Sequence, residues 1–374
     1  MESSGNGTEA PAYGQCHPTF NDDFKCDIIF WIRCAVAILS MLACTFVVFI
    51  ILIFKKYKFL HQRLILYLSI AAFFQSLGYA VSDYRIAFQG RNGGEGFCIF
   101  VGIWTLFFDW FSFLWVCCIT FNIFWNAVFG KRTEKFEKFY FVVCIGVPAI
   151  LCCLPFIENS YGPSGLWCWI KSSSFDERSD TVKVFIPGVI LQFVLFYGPL
   201  WIISVILLIV LISIACLTRH RRNKYQGVCN HQVDAQKKLW EEDIRPLVLF
   251  PWIYLVILLF PLMNRLRLAF GFFDPDSPAN FWFWFSHAFM LTLHGTLYAL
   301  VFACDKTTRS RITYHQIKAA LLQRTMRRRK IKEYPLVSST EVGGSLSSIV
   351  VSDDLTEDGI NGTSGSYKLY LGSH

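Results

Sequence analysis

The sequence predicts an all-α membrane protein, a seven-transmembrane helix bundle with its N-terminus outside, and three observations predict it. Of 374 residues, 54% are hydrophobic and 17% are charged, against the ~25% charge of a water-soluble domain. The apolar residues fall in long uninterrupted blocks, without the alternation of a strand or a surface helix. Lys and Arg crowd the segments on one side of those blocks. Together these exclude a globular cytosolic enzyme, and no catalytic residue, resident metal or cofactor is expected.

A helix needs roughly 20 apolar residues to cross hydrocarbon, because lipid offers its backbone no outside hydrogen-bond partner. Seven blocks qualify: Ile28 to Phe54, Leu64 to Ser82, Phe97 to Gly130, Phe139 to Ile157, Val184 to Thr218, Pro246 to Asn264 and Ser277 to Cys304. Arg33 and Asp109 are the charged residues inside them. With the N-terminus outside, the cytoplasmic segments hold 26 Lys and Arg and the other side holds 8, the asymmetry that retains basic loops in the cytosol. The net charge of +8 therefore reads as topology, and no nucleic-acid partner is expected. Residues 1–27 form an external tail without the basic start and apolar stretch of a removable signal, so the first span is expected to direct insertion. Asn6, in Asn6-Gly7-Thr8, is the expected glycosylation site, and Asn361 has the same sequon on the cytosolic side.

Topology sorts the cysteines. Cys16, Cys26, Cys98 and Cys168 face the oxidising side. Cys98 opens the third span and Cys168 lies in the second external loop, so a bond between them would pin that loop over the bundle. Cys16 with Cys26 is the remaining pair. Cys34, Cys44, Cys117, Cys118, Cys144, Cys152, Cys153 and Cys216 read as small apolar packing residues, and Cys304 ends the last span where acylation is an option.

Specific strings then carry a resemblance. Phe136-Glu137-Lys138-Phe139-Tyr140 leads into the fourth span with Cys144, Gly146 and Pro148; Trp167-Cys168-Trp169-Ile170 stands in the second external loop. Leu195-Phe196-Tyr197-Gly198-Pro199 lies in the fifth span, Asn264-Arg265 closes the sixth, and His294-Gly295 with Tyr298-Ala299 lies in the seventh. In this order, over residues 28 to 305, the chain resembles the slime-mould cyclic-AMP receptors and their receptor-like relatives, the class E G-protein-coupled receptors. Ser112-Phe113-Leu114-Trp115 is similar to a third-span signature of secretin-type receptors, but Ile119 stands where their glutamate would follow. Rhodopsin-class signatures fit worse: Asn122-Ile123-Phe124 occupies the place of Asp-Arg-Tyr, Tyr298 to Cys304 has no Asn-Pro-x-x-Tyr, and the seventh span lacks the lysine of an opsin. The resemblance implies a multi-pass plasma-membrane receptor for an extracellular small molecule, cyclic AMP or another nucleotide-like ligand, acting on a heterotrimeric G protein. An arrestin-like protein and a receptor kinase are the further partners it implies. A multi-span transporter and an intramembrane metal-dependent hydrolase are the alternatives.

Asp109 is the sharpest anomaly, because a carboxylate deep in the bilayer is costly unless it faces the bundle interior. It lies about 16 Å down the helix from Cys98 at 1.5 Å per residue, with Ser112 one turn on as the expected partner. It is either a functional group or a polar link between helices. Arg33 is expected to snorkel to the outer headgroups. Arg265 and Arg267 at the outer end of the sixth span, with Lys183 at that of the fifth, are the cations an anionic ligand would need; headgroup anchoring is the alternative. His287 and His294 share a helix face and could be imagined with Asp109 as a metal site, although core hydrogen bonding is the simpler assignment. Pro187, Pro199, Pro251 and Pro261 are expected to bend the fifth and sixth spans.

Around the cytoplasmic mouth, Lys55, Lys56 and Lys58, then Lys131 and Arg132, then Arg219, Arg221 and Arg222 form basic clusters suited to an acidic partner helix or to anionic lipid. Residues 28–304 make the receptor domain. Residues 305–330 form a juxtamembrane helix, with Tyr314, Ile317 and Leu321 opposite Arg311 and Lys318, ending in Arg327-Arg328-Arg329-Lys330. Residues 331–374 form a disordered tail in which Ser338, Ser339, Thr340, Ser345, Ser347, Ser348 and Ser352 are candidate phosphate acceptors.

Overall fold

The computed structural model describes residues 23–82, 94–131, 133–164, 166–171, 173–176, 181–224, 247–269, 277–309 and 315–322. All belong to one compact unit, Met1–Arg324. Asn6, Cys16, Arg132, Arg311, Tyr314 and the tail serines and threonine lie outside the described residues, as do residues 325–374.

Seven helices are long and apolar enough to cross a membrane, which makes this a multi-pass membrane protein. They are α1 (Asp23–Ile53), α2 (Leu60–Val81), α3 (Gly94–Phe129), α4 (Glu137–Cys153), the fifth span, α7 (Leu249–Ala269) and α8 (Pro278–Cys304). The fifth span is built from α5 (Ile186–Gln192), a π-helical turn (Phe193–Tyr197) and α6 (Gly198–Lys224). Between the fourth and fifth spans run two antiparallel pairs, β1 (Tyr161–Ser164) with β2 (Trp167–Ile170) and β3 (Ser173–Asp176) with β4 (Thr181–Val184). After the seventh span come α9 (Lys306–Arg309) and a helical segment at 315–322, whose Ile317 packs against the bundle.

Cross-links show which ends lie together. Lys56, after the first span, donates to Thr308 Oγ1 beyond the seventh (2.9 Å). Cys98, at the start of the third, is bonded to Cys168 in β2 (S–S 2.10 Å), as topology predicts. Cys26 is also disulfide-bonded. The α3 helix occupies the centre, with Phe113, Trp115 and Ile119 fully buried. Around it the seams are tight where small residues permit. Trp104 of α3 lies 2.7 Å from where a Gly78 Cβ would stand and donates to Phe74 O (2.8 Å). Between the first and seventh spans, Ser40 Oγ donates to Thr292 O (2.6 Å), and a Cβ on Gly295 would meet Cys44 Sγ at 2.8 Å. At the Lys56 end, Arg63 of α2 makes a two-pronged ion pair with Glu137 of α4 (2.7 Å for each prong), and Tyr67 adds a hydrogen bond to the same carboxylate (3.0 Å).

Several helix expectations change. The helix of the first span begins at Asp23, five residues ahead of the apolar block from Ile28. The sixth runs on to Ala269, so Asn264 and Arg265 do not close it: both are buried, Asn264 hydrogen-bonded to His287 and Arg265 packed against aromatic rings. Pro187 and Pro251 stand in first turns, where a missing N–H costs nothing, so they do not interrupt a span. Pro261 lies inside α7, and Pro199 follows the π-helical turn.

Candidate ligand pocket

The roof of the bundle at its Cys98 end is the β1–β2 hairpin. Its strand Trp-Cys-Trp-Ile is buried on both faces because three spans hold it down. The disulfide ties Cys168 to α3 with Cα atoms 5.1 Å apart, and Cys168 N–H donates to Ser82 O at the end of α2 (2.9 Å). Gln192 of α5 donates to Ile170 O (2.7 Å) and Ser164 Oγ (3.1 Å). Gly102 permits the contact: a Cβ there would come within 3.2 Å of Trp169 O.

Under this roof lies a cavity of about 50 Å³ lined by Arg33, Gln75, Tyr79, Asp109, Trp167 and His287, among others. Asp109 is buried, as its depth predicts. Its partner is not Ser112, whose Oγ is buried without a hydrogen bond. Instead Asp109 Oδ1 accepts from Tyr79 OH (2.5 Å) and Gln75 Nε2 (2.8 Å), both on α2. Arg33 does not snorkel to headgroups. It is 7% exposed, donates to Ser82 Oγ, and sets its guanidinium 4.8 Å from the Trp167 ring centroid, so an aromatic partner and a hydroxyl replace the lipid interface.

Arg265 is likewise inside, 6% exposed. Its guanidinium lies 5.5 Å from the Tyr197 ring, 5.6 Å from Trp284 and 6.0 Å from Trp167, while its Nε and Nη2 are buried without hydrogen-bond partners. The π-helical turn brings Tyr197 to this box. Arg267 points elsewhere: it donates to Asn280 Oδ1 (2.7 Å) and Asn264 Oδ1 (3.3 Å). That orients Asn264, whose Nδ2 donates to His287 Nδ1 (3.1 Å) and so places the imidazole proton on Nε2. His294 Nδ1 faces Leu291 O (2.7 Å), and its ring stands edge-on to Tyr79. Among the described residues no three His, Cys, Asp or Glu side chains gather as metal ligands; His287, His294 and Asp109 each face a different partner. Lys183 lies on β4 opposite Ser174, and its side chain is outside the described residues.

At the opposite end, a cleft of about 330 Å³ opens between the third, fifth and sixth spans, lined by Ile123, Leu211, Ile214, Thr218, Arg219 and Trp252, among others. Lys55, Lys131 and Arg219 are exposed, whereas Lys56 turns inward, 8% exposed, so it leaves the basic face. Arg221 and Arg222 extend α6, their side chains outside the described residues. Beside the cleft, Asn122 Oδ1 accepts from Thr133 Oγ1 and Asn126 Nδ2, the latter at 3.2 Å, tying the second loop to α3.

Sequence reasoning missed Gln75, Tyr79 and Tyr197 as pocket residues, and Trp284 as a ring against Arg265. Gln75 and Tyr79 are four apart and so share a helix face, a signal available in the sequence. Nothing in a single aromatic-rich sequence marks which of its Trp side chains meet an arginine.

A seven-span bundle with a disulfide-held hairpin over a polar intramembrane cavity defines the class: a heptahelical membrane protein built like a receptor. The sequence profile described as slime mold cyclic AMP receptor matches residues 24–305, and the chain belongs to that family. It is 25% identical over 255 residues to cyclic AMP receptor 4 of Dictyostelium discoideum, a match covering 65% of this chain and 52% of that protein. Cyclic AMP receptor 1 of the same organism is 28% identical over 188 residues, covering 49% of this chain and 42% of that one. Cyclic AMP receptor-like protein A is 26% identical over 179 residues, covering 47% and 42% respectively. The chain spans about half the length of the curated relatives it matches.

Proposed function

We propose that this chain is a plasma-membrane receptor whose Cys98 end faces outward, and that a small anionic ligand seated under the hairpin shifts the bundle to favour a heterotrimeric G protein at the opposite cleft. The observation that carries the reading is Arg265. A buried guanidinium with two nitrogens lacking hydrogen-bond partners is a costly feature; it lies behind Trp167 and Tyr197 of the cavity wall, where an anionic group entering past those rings would relieve that cost. Arg33 supplies a second cation at the same Trp ring, and Asp109 lies in the cavity wall for a donor group on the ligand. The relatives' names supply cyclic AMP as the first nucleotide to try. At the other end, the cleft by Arg219, with exposed Lys55 and Lys131, suits an amphipathic helix with acidic residues. Cytosolic residues 305–330 and the phosphorylatable tail complete the assignment, with a receptor kinase and an arrestin-like protein as its partners. A ligand drives the change only through unequal affinity for the two packings.

The test is G-protein dissociation in cells expressing the chain, challenged with cyclic nucleotides and then with an anionic metabolite panel. The active compound is expected to lose potency about 30-fold or more in Arg265→Gln at equal surface expression, the effect of stranding a buried charged partner. Silence to every compound, or an unshifted potency, rejects the reading.

A further inference from the structure

The cavity offers about 50 Å³ of space. Small-molecule sites run from roughly 300 Å³ upward, so the pocket of the preceding section is too tight for such a ligand as it stands, and something must move to admit one. The hairpin backbone is poorly placed to do so: it is held to α3 by the Cys98–Cys168 bond, to α2 through Ser82 O and to α5 through Gln192. What remains is a side chain. Trp167 lines the cavity and is 8% exposed, one residue from the disulfide.

We propose that Trp167 is the gate of this pocket and that Arg33 and Arg265 are its clamp. Two cations reach one indole from different spans, Arg33 from the first at 4.8 Å and Arg265 from the sixth at 6.0 Å. The ring also stands edge-on to Trp284 at 5.3 Å and to His287 at 5.1 Å, both from the seventh span. Because the strand that bears it is fixed, Trp167 opens by rotating about its own side-chain bonds, and each rotation breaks contacts with three spans at once. The arrangement also makes gating responsive to ligand charge. An anion that recruits either guanidinium withdraws it from the indole face, so the gate is weakened by the chemical group it admits. This rests on the pocket being the ligand site, but its test requires no ligand.

The probe is a cysteine at Ala288, a small buried residue in the cavity wall. Full-length Ala288→Cys receptor in membranes is treated with a membrane-impermeant methanethiosulfonate from the Cys98 side, and labelling at residue 288 is read by peptide mass spectrometry, which separates it from the native thiols. Labelling is expected to be slow with Trp167 present and about a hundredfold or more faster in Trp167→Ala, the scale of two desolvated cation–π contacts. Trp167→Phe, which keeps a ring between the arginines, should stay within about threefold of the parent. Arg33→Gln with Arg265→Gln, which retains Trp167 but removes the clamp, should label nearly as fast as Trp167→Ala. Unfolding midpoints in detergent separate gate opening from collapse. Fast labelling of the parent, equal rates in parent and Trp167→Ala, or equal acceleration by Phe and Ala each overturn the gate. An unaffected rate in the double arginine variant overturns the clamp. Loss of agonist response with these rates intact indicts the receptor assignment instead.

Discussion

Asp109 shows how a single side chain is settled by its neighbours. A carboxylate in the middle of a span is tolerated because one oxygen receives both a phenol and an amide; without it the Tyr79 hydroxyl loses its acceptor and Gln75 keeps only its bond to Tyr79 OH (2.9 Å). Asp109→Leu is therefore expected to cost about 1–3 kcal/mol, chiefly from the buried Tyr79 hydroxyl left without an acceptor. Asp109→Asn retains an acceptor and should cost less than about 1 kcal/mol. Unfolding midpoints of the two purified variants check the ordering. The sequence disclosed that Asp109 must face inward, since lipid forbids the alternative, but it could not say which donors it faces. Ser112 is nearer along the chain, whereas Gln75 and Tyr79 come from another span, and cross-span partners are invisible to spacing along one helix. Arg33 and Arg265 teach the same lesson: near a span end, snorkelling and an inward turn are equally compatible with sequence, and the aromatic partners that decide between them lie on other elements.

At the scale of helices and strands, the spans were legible because backbone in hydrocarbon must close its own hydrogen bonds over a fixed thickness. The departures have local causes. The β1–β2 hairpin carries four buried residues in a row, so it lacks the alternation that announces a strand. The π-helical turn shows no periodicity signal, although Gly198 follows it where a Cβ would lie 2.7 Å from Phe193 O. Helix seams divide the glycines of the family strings into two kinds. Gly295→Val drives side-chain atoms into Cys44 and Ser40, and overpacking of this sort typically costs about 1–3 kcal/mol. Gly146→Ala meets nothing within 4 Å and is expected to stabilise α4 by roughly 0.5–1 kcal/mol through helix propensity. Thermal unfolding of the pair in one detergent should therefore move in opposite directions.

For the whole molecule, the Lys56 end is braced between spans that are not neighbours in sequence. Arg63 and Glu137 join the second span to the fourth with side chains 23% and 20% exposed, and Arg63 also donates to the carbonyls of Tyr57 and Lys58. Glu137→Arg sets two cations against each other and should lower surface delivery several-fold. Arg63→Glu with Glu137→Arg should recover part of it, and a double-mutant cycle on surface counts and unfolding measures the coupling, expected at about 1–2 kcal/mol for a half-buried two-pronged pair. Recovery is incomplete because a glutamate at 63 cannot donate to the loop carbonyls. The basic asymmetry of the loops was plain in the sequence, while this brace was not: Glu137 appeared only as a letter in a family string.

The third span offers a closing consequence. At 36 residues it is about 54 Å long at 1.5 Å per residue, well over the ~30 Å of hydrocarbon it crosses. It is riveted near one extremity to the hairpin by sulfur and near the other to the second loop through Asn122 and Thr133. Such a strut must lean or protrude, and it behaves as an axle: torque applied beside Asp109 reaches Asn122, about 20 Å along, as rotation, because no proline interrupts it on the way.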